Sequence, residues 1–166
     1  MKQIILCDMR DPVFSLLEEL HIPYRLQEHE AVFTVAESSV KLPEKVPVKT
    51  LLVTDDKKKQ VWMVAMRGLN RLDMKQLARE LGVKKLQFVR PERVEELVGV
   101  RPGSVSIFGL LHPGSENMHV LFDESLMQEA ELGFHPNDNT ATVFLTPADV
   151  LTVIQTTGHE CRILAV

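Results

Sequence analysis

Residues 48–66 read VKTLLVT, then DDKKKQ, then VWMVAM. Two apolar runs rich in β-branched residues flank a charged stretch. Such residues fit a pleated surface that is buried on at least one side. Two runs of this kind around a polar turn predict a β-hairpin, with strands over 48–54 and 61–66 and the turn over 55–60. The lysine at position 49 stands near the start of the first strand. A strand-end lysine commonly lays its stem along apolar surface and keeps its ammonium in water. It can also aim that ammonium into a pocket to hold a phosphate or a carbonyl oxygen.

Helix signals lie on both sides of the hairpin. Asp11 and Pro12 open a segment through Leu20, with Val13, Leu16 and Leu17 on one face. Thr34 to Glu37 has the spacing of a capping box, so a short helix is expected after Phe33. Asp73 caps a segment that stops before Gly82, and Pro91 starts another that stops at Gly99. Thr146 opens the last, which ends near Gly158. Further short strands are expected over 86–89, 105–108, 119–122, 140–145 and 161–166. Short strands interleaved with helices predict an α+β fold rather than repeated parallel βαβ units. No linker or repeat divides the chain, so one domain over 1–166 is expected.

The 166 residues carry a formal net charge of −4, with 45% hydrophobic and 25% charged residues. These values fit a globular chain and argue against disorder, coiled coil and collagen. The small total hides a division. Residues 1–56 sum to −4, residues 57–101 to +7 and residues 102–166 to −7. The central segment reads either as solvated helix faces or as a docking surface for a polyanion. Two cysteines, Cys7 and Cys161, are too few for a disulfide framework. No signal peptide or apolar run of membrane-spanning length is visible, so a cytoplasmic location without a membrane partner is expected.

Familiar catalytic signatures are missing. The sequence has no GxSxG elbow, HExxH helix, P-loop or GxGxxG. None of the six histidines is paired with cysteine at ligand spacing, so neither a metal nor a cofactor is expected. Four stretches remain: the Lys49 strand, the loop RPGSVSIFGL over 101–110, the turn GFHPNDNTAT over 133–142, and HEAVFTV over 29–35. Glycines let a backbone approach a ligand and expose its amides, although these two also suit ordinary turns. His135 titrates near neutrality and can serve a pocket, while Asn137 and Asn139 suit turn geometry. Phe33 suits either a base-stacking position or a core.

In order along the chain stand HEAVFTVAE (29–37), VKTLLV (48–53), LDMKQLARELG (72–82), GVRPGSVSIFGLL (99–111), FHPNDNTATVFLTPADVL (134–151) and TGHE (157–160). Together they resemble the YbaK/ProX prolyl-tRNA editing family of aminoacyl-tRNA deacylases, over roughly residues 20–165. The FHP and TGHE segments are most similar to the freestanding Ala-tRNA(Pro) branch. The resemblance implies a curved, mostly antiparallel mixed sheet or barrel flanked by helices. It implies a hydrolase that splits the ester of mischarged tRNA(Pro), most of all Ala-tRNA(Pro), as quality control in protein synthesis. Editing of this kind is needed because a binding site rejects a smaller side chain poorly.

Residue roles follow from the same resemblance. Lys49, Gly103 and Ser104 are implied at the catalytic centre. Phe33, Thr34, Thr50, Val105, Phe108, Gly109, Leu110, His135 and Asn139 are implied around the substrate. No side-chain nucleophile is implied; water attacks, assisted by the substrate's ribose hydroxyl and by backbone groups. Lys57, Lys58, Lys59, Arg67, Arg71, Lys84, Lys85 and Arg101 are assigned from the +7 segment to tRNA docking. The implied partners are mischarged tRNA and, transiently, prolyl-tRNA synthetase or an elongation factor, for a monomer or homodimer. Ile107 stands where family members usually carry proline, and Thr50 where many Ala-tRNA(Pro) deacylases carry asparagine. Cys-tRNA(Pro) or another mischarged tRNA as substrate, and a non-catalytic module that binds tRNA ends, therefore stay open.

Overall fold

The computed structural model describes residues 10–31 and 48–166. Helix α1 spans Asp11–Glu19 and strand β1 Arg25–Glu28. The hairpin follows as β2, Val48–Asp55, and β3, Val61–Arg67. Next come α2 (Met74–Leu81), β4 (Leu86–Phe88) and α3 (Pro91–Val98). Three 3-10 turns, Pro102–Ser104, Ile107–Leu111 and Pro113–Ser115, lead to β5, His119–Asp123. A fourth, Glu124–Gln128, precedes β6 (Leu132–Phe134), β7 (Ala141–Leu145), α4 (Pro147–Thr156) and β8 (Cys161–Leu164).

Strands β4-β2-β3-β5-β8 form one sheet in that order, and β1-β7-β6 form a second. Four of the six pairings among the described residues are antiparallel. The β3–β5 and β5–β8 pairings are parallel and need long crossovers. The first crossover carries α2, β4 and α3; the second carries β6, β7 and α4. The α+β expectation holds. The barrel alternative does not, because each sheet ends in edge strands among the described residues.

Side chains alternate across a strand, and cross-strand partners share a face. On one face Leu52, Met63, Ala65, Val120 and Phe122 join Val13, Val98, Phe108, Phe134, Val143 and Ile154 in the larger core. On the other face Val53, Trp62, Val64, Met66 and Leu121 pack on Leu72, Leu77 and Ala78 of the α2 region. Burial on both faces explains why residues 61–66 are continuously apolar instead of alternating.

Most caps lie where the sequence put them. Asp73 accepts from the Gln76 amide, and Gly82 ends α2 at φ 69°. Gly99 ends α3 at φ 71°, and Thr146 accepts from the Asp149 amide. At α1 the boundary moves by one residue: Asp11 is already helical, and Arg10 occupies the cap without a side-chain capping bond. The strand expected over 105–108 is a correction. Ser106 instead caps the turn Ile107–Leu111, accepting from the Phe108 amide. The helix expected after Phe33 lies outside the described residues, as does Cys7. Cys161 carries a free thiol, and burial pushes its pKa up to about 11.

Gly109 shows how tightly α3 meets this turn. A Cβ there would stand 2.8 Å from Val98 Cβ and 3.0 Å from Val98 Cγ1. Overpacking of this kind costs about 1–3 kcal/mol. Gly109→Ala should therefore lower stability by about that much in urea unfolding. Combination with Val98→Ala should cost less than the sum of the two single changes, because the two groups compete for one space.

Candidate functional site

Two of the four sequence stretches are joined directly. Ser106 Oγ donates to the His135 carbonyl at 2.6 Å. Asn137 Nδ2 donates to the Phe108 carbonyl at 3.3 Å. The loop after α3 and the turn between β6 and β7 thus form one wall. Asn137 adopts φ 60°, in the left-handed region that asparagine tolerates. Its Oδ1 is buried with no hydrogen-bond partner.

His135 sits within this wall. Its Nδ1 lies 2.9 Å from the Ala141 carbonyl. A carbonyl only accepts, so Nδ1 carries the proton and the neutral ring keeps a lone pair on Nε2. Burial holds the His135 pKa below its ordinary value, and the neighbouring His29 adds to the effect. The Ala141 carbonyl and Asp138 oppose it. The two imidazole centroids are 6.0 Å apart. His29 Nδ1 meets the Glu30 carbonyl at 2.7 Å, and its Nε2 meets Thr142 Oγ1 at 2.8 Å. His29, drawn from the fourth sequence stretch, therefore stands beside the third.

A second network braces the turn. Arg10 Nε donates to Asp138 Oδ2 at 3.3 Å, Nη2 to Thr140 Oγ1 at 2.6 Å, and Nη1 to Glu28 Oε1 at 3.0 Å. Asp138 Oδ1 accepts from the Thr140 amide at 2.7 Å and the Thr140 hydroxyl at 2.6 Å. Burial alone raises the Asp138 pKa, but the Thr140 and Arg10 bonds outweigh it and hold the carboxyl below its ordinary value. Asn139 is half-buried between these two anchors. Arg10, Asn137 and Asp138 were not among the sequence-derived site residues. The only local signal was the asparagine- and aspartate-rich turn, since Arg10 meets it from the far end of the chain.

The glycine loop departs from its expected use. Gly103 and Gly109 both lie in 3-10 turns, so neither serves as a left-handed hinge. The amides of Ser104 and Val105 bond to Arg101 and Pro102 carbonyls, and the Gly109 amide bonds to the Ser106 carbonyl. The Phe108 amide is held by Ser106. These four amides are committed inside the loop. The side chains of Phe108 and Leu110 are buried in the core; the Phe108 carbonyl receives Asn137, while the Leu110 carbonyl accepts from Ser115 Oγ at 3.0 Å. Gly103 is exposed, and Ser104 and Val105 are half-buried at the loop's open end. Ile107 is fully buried in the larger core.

Lys49 and Thr50 separate by strand alternation. Lys49 pairs with Met66 and Thr50 with Ala65. Met66 belongs to the α2 face and Ala65 to the face that packs on Phe108. Lys49 Nζ donates to the Asn70 carbonyl, beyond the end of β3. Its half-burial lowers its pKa from the ordinary lysine value. Thr50, not Lys49, thus shares a sheet face with the Ser106–His135 wall. Phe33 and Thr34 lie outside the described residues.

The docking cations also divide. Lys57, Lys58, Lys59, Arg71, Lys84, Lys85 and Arg101 are exposed. Arg67 is not available: its guanidinium bonds Glu129 Oε1 at 2.6 Å, Ser125 Oγ at 3.0 Å and the Ser125 carbonyl at 3.0 Å. A cleft of about 600 Å³ lies away from the predicted site, between Trp62, His119, Gln155, His159 and Arg162. Among the described residues no group of three His, Cys, Asp or Glu is placed to hold a metal ion. Among them, too, no helix is long and apolar enough to cross a membrane.

The family model described as the aminoacyl-tRNA editing domain matches residues 29–153. The prolyl-tRNA editing protein ProX of Acetoanaerobium sticklandii is 33% identical over 157 residues, covering 93% of this chain and 96% of the relative. The prolyl-tRNA synthetase associated domain-containing protein 1 of Danio rerio is 30% identical over 161 residues, covering 95% and 88%. A crystal structure of a candidate trans-editing enzyme for prolyl tRNA synthetase superposes with a TM-score of 0.73 at 26% identity, covering 97% of this chain and 99% of its own. With the fold and the ordered motifs in agreement, the chain belongs to the aminoacyl-tRNA editing domain family, the family of deacylases that its motifs resemble.

Proposed function

We propose that the protein hydrolyses the ester of mischarged tRNA(Pro) in trans, with Ala-tRNA(Pro) as its main substrate. The observation that carries this reading is the fusion of the two motif loops by the Ser106–His135 and Asn137–Phe108 bonds. That wall offers an acceptor at His135 Nε2, with Gly103 exposed and Ser104 half-buried at the open end of the loop beside it. Water attacks the ester carbonyl carbon, the carbon–oxygen bond to the ribose breaks, and free amino acid and the tRNA 3′ hydroxyl are released. The Lys49 ammonium, at the rim of the sheet, supplies positive charge to the 3′-terminal nucleotide. The exposed cations of residues 57–101 attract the rest of the tRNA, and prolyl-tRNA synthetase supplies the mischarged substrate.

A panel of tRNA(Pro) charged with alanine, cysteine or serine tests the assignment. Release of alanine fastest is expected. Hydrolysis of none, in an assay where a known deacylase works, would refute the reading, and preference for cysteine would move the substrate to the branch that Thr50 resembles.

Lys49→Ala should lower kcat/KM at least tenfold, about 1.4 kcal/mol of transition-state stabilisation. Wild-type rates would remove Lys49 from the site.

His135 gives a pH dependence. Its folded pKa lies below the ordinary 6.5, so the neutral ring dominates at pH 7. Protonation on acidification removes the Nε2 lone pair, so activity should fall as the pH drops through this lowered pKa, on the acid side of 6.5. The same shift makes the folded state lose stability as pH falls from 6.5 through the lowered pKa, since the unfolded chain then binds the proton more readily. A pH–rate profile of His135→Gln should lack this acid limb; an unchanged limb would assign it to another group.

A further inference from the structure

Lys49 and the lysine-rich turn stand at opposite ends of one strand. Extended chain rises about 3.3 Å per residue, so about 20 Å separates Lys49 from Asp55. The turn beyond Asp55 is built rather than loose. Buried Asp55 accepts through Oδ1 from the Lys59 amide at 2.8 Å and the Gln60 amide at 3.0 Å. Thr54 Oγ1 donates to the Gln60 carbonyl at 2.7 Å. Arg93 Nη2, from α3, donates to the Lys58 carbonyl at 3.3 Å. Lys57, Lys58 and Lys59 are thereby carried on a fixed backbone with their side chains exposed.

The neighbouring strand adds to this charge. Leu86 of β4 lies opposite Asp55, which seats the exposed Lys84 and Lys85 beside the turn. The same two lysines line a cleft of about 600 Å³ with Lys75 and Arg79 of α2. Phe88 follows on β4 and is 58% exposed, a large apolar side chain on a sheet edge. The acids of the same segments are buried Asp55 and exposed Asp56 and Glu80, outnumbered by Lys57, Lys58, Lys59, Lys75, Arg79, Lys84 and Lys85. No ion pair is recorded for Lys57, Lys58, Lys59, Lys84 or Lys85 among the described residues.

We propose that this end of the sheet is a second RNA contact, distinct from the Lys49 end, that grips the sugar–phosphate backbone of the tRNA acceptor stem while the 3′ end lies at the Lys49 rim. The inference rests on the deacylase reading. Lysines suit this task because they meet phosphates as point charges and read no sequence. A fixed turn loses little further freedom on binding, so more of each contact appears as affinity. The stem contact places the ester; it takes no part in the bond that breaks.

The test compares two substrates, full Ala-tRNA(Pro) and the alanine ester of a CCA trinucleotide, for wild type, K57Q/K58Q/K59Q and K84Q/K85Q. The ratio of kcat/KM for the full tRNA to that for the trinucleotide should fall at least tenfold in the triple variant, and also fall in the double. The slope of log affinity against log salt should shrink by about one for each phosphate contact removed. An unchanged ratio in both variants, whether both rates hold or both drop together, would overturn the stem contact while leaving the deacylase reading intact. Uncharged tRNA(Pro) binding, followed by fluorescence anisotropy, decides the matter if wild type hydrolyses neither ester. Weakening of at least tenfold in the triple variant supports the contact, and unchanged binding overturns it.

Discussion

Burial of β3 on both faces is the constraint from which the rest of the molecule follows. Val61 to Met66 have no solvent side, so each face must be covered by separate elements. The α2 region covers one face. The other needs α1, α3, α4, the 3-10 turns and the three-stranded sheet together. The loops that carry the motif residues are therefore connections between covering elements. Their positions are set by packing on β3, β5 and β2, and their chemistry rides on that packing. Phe108 expresses both roles: its side chain is core, and its carbonyl receives Asn137.

That division explains what sequence could and could not disclose. The hairpin, the caps at Asp73, Gly82, Gly99 and Thr146, and the terminal helix were legible because each is a local signal with a local cause. Strand β1, RLQE, was not, because it is a short polar edge strand whose register comes wholly from β7. Strand β6 has three residues and takes its place from β7 in the same way. The VSIF stretch carries β-branched residues yet turns at Ser106, since its hydroxyl bonds both the Phe108 amide and the His135 carbonyl. A tertiary bond there overrides a local preference.

The site shows the same asymmetry. His135 and the glycine loop were visible as motifs, and their family resemblance supplied roles that spacing alone did not. Their mutual contact was invisible, because it joins residues 29 positions apart. Arg10 is 128 positions from Asp138, beyond any local pattern. The placement of Lys49 and Thr50 on opposite faces follows from period-two alternation, but only once the faces have been assigned by the helices that cover them.

The charge division gains a physical meaning from the fold. A net charge of −4 over the chain gives no overall attraction for RNA. The acidic last third does more than offset the basic centre, because it withdraws particular cations. Glu129 takes Arg67 and Glu131 takes Arg25. Cations that face the β5–β6 region are thus spent on holding the covering layers together. Those on the β2–β3 turn and beside β4 form no ion pair among the described residues and stay exposed. Screening makes surface charges matter only within about 10 Å at ordinary salt. A phosphate chain approaching that edge therefore meets the local positive charge and not the negative sum, and the total charge of the protein says little about which anion it binds.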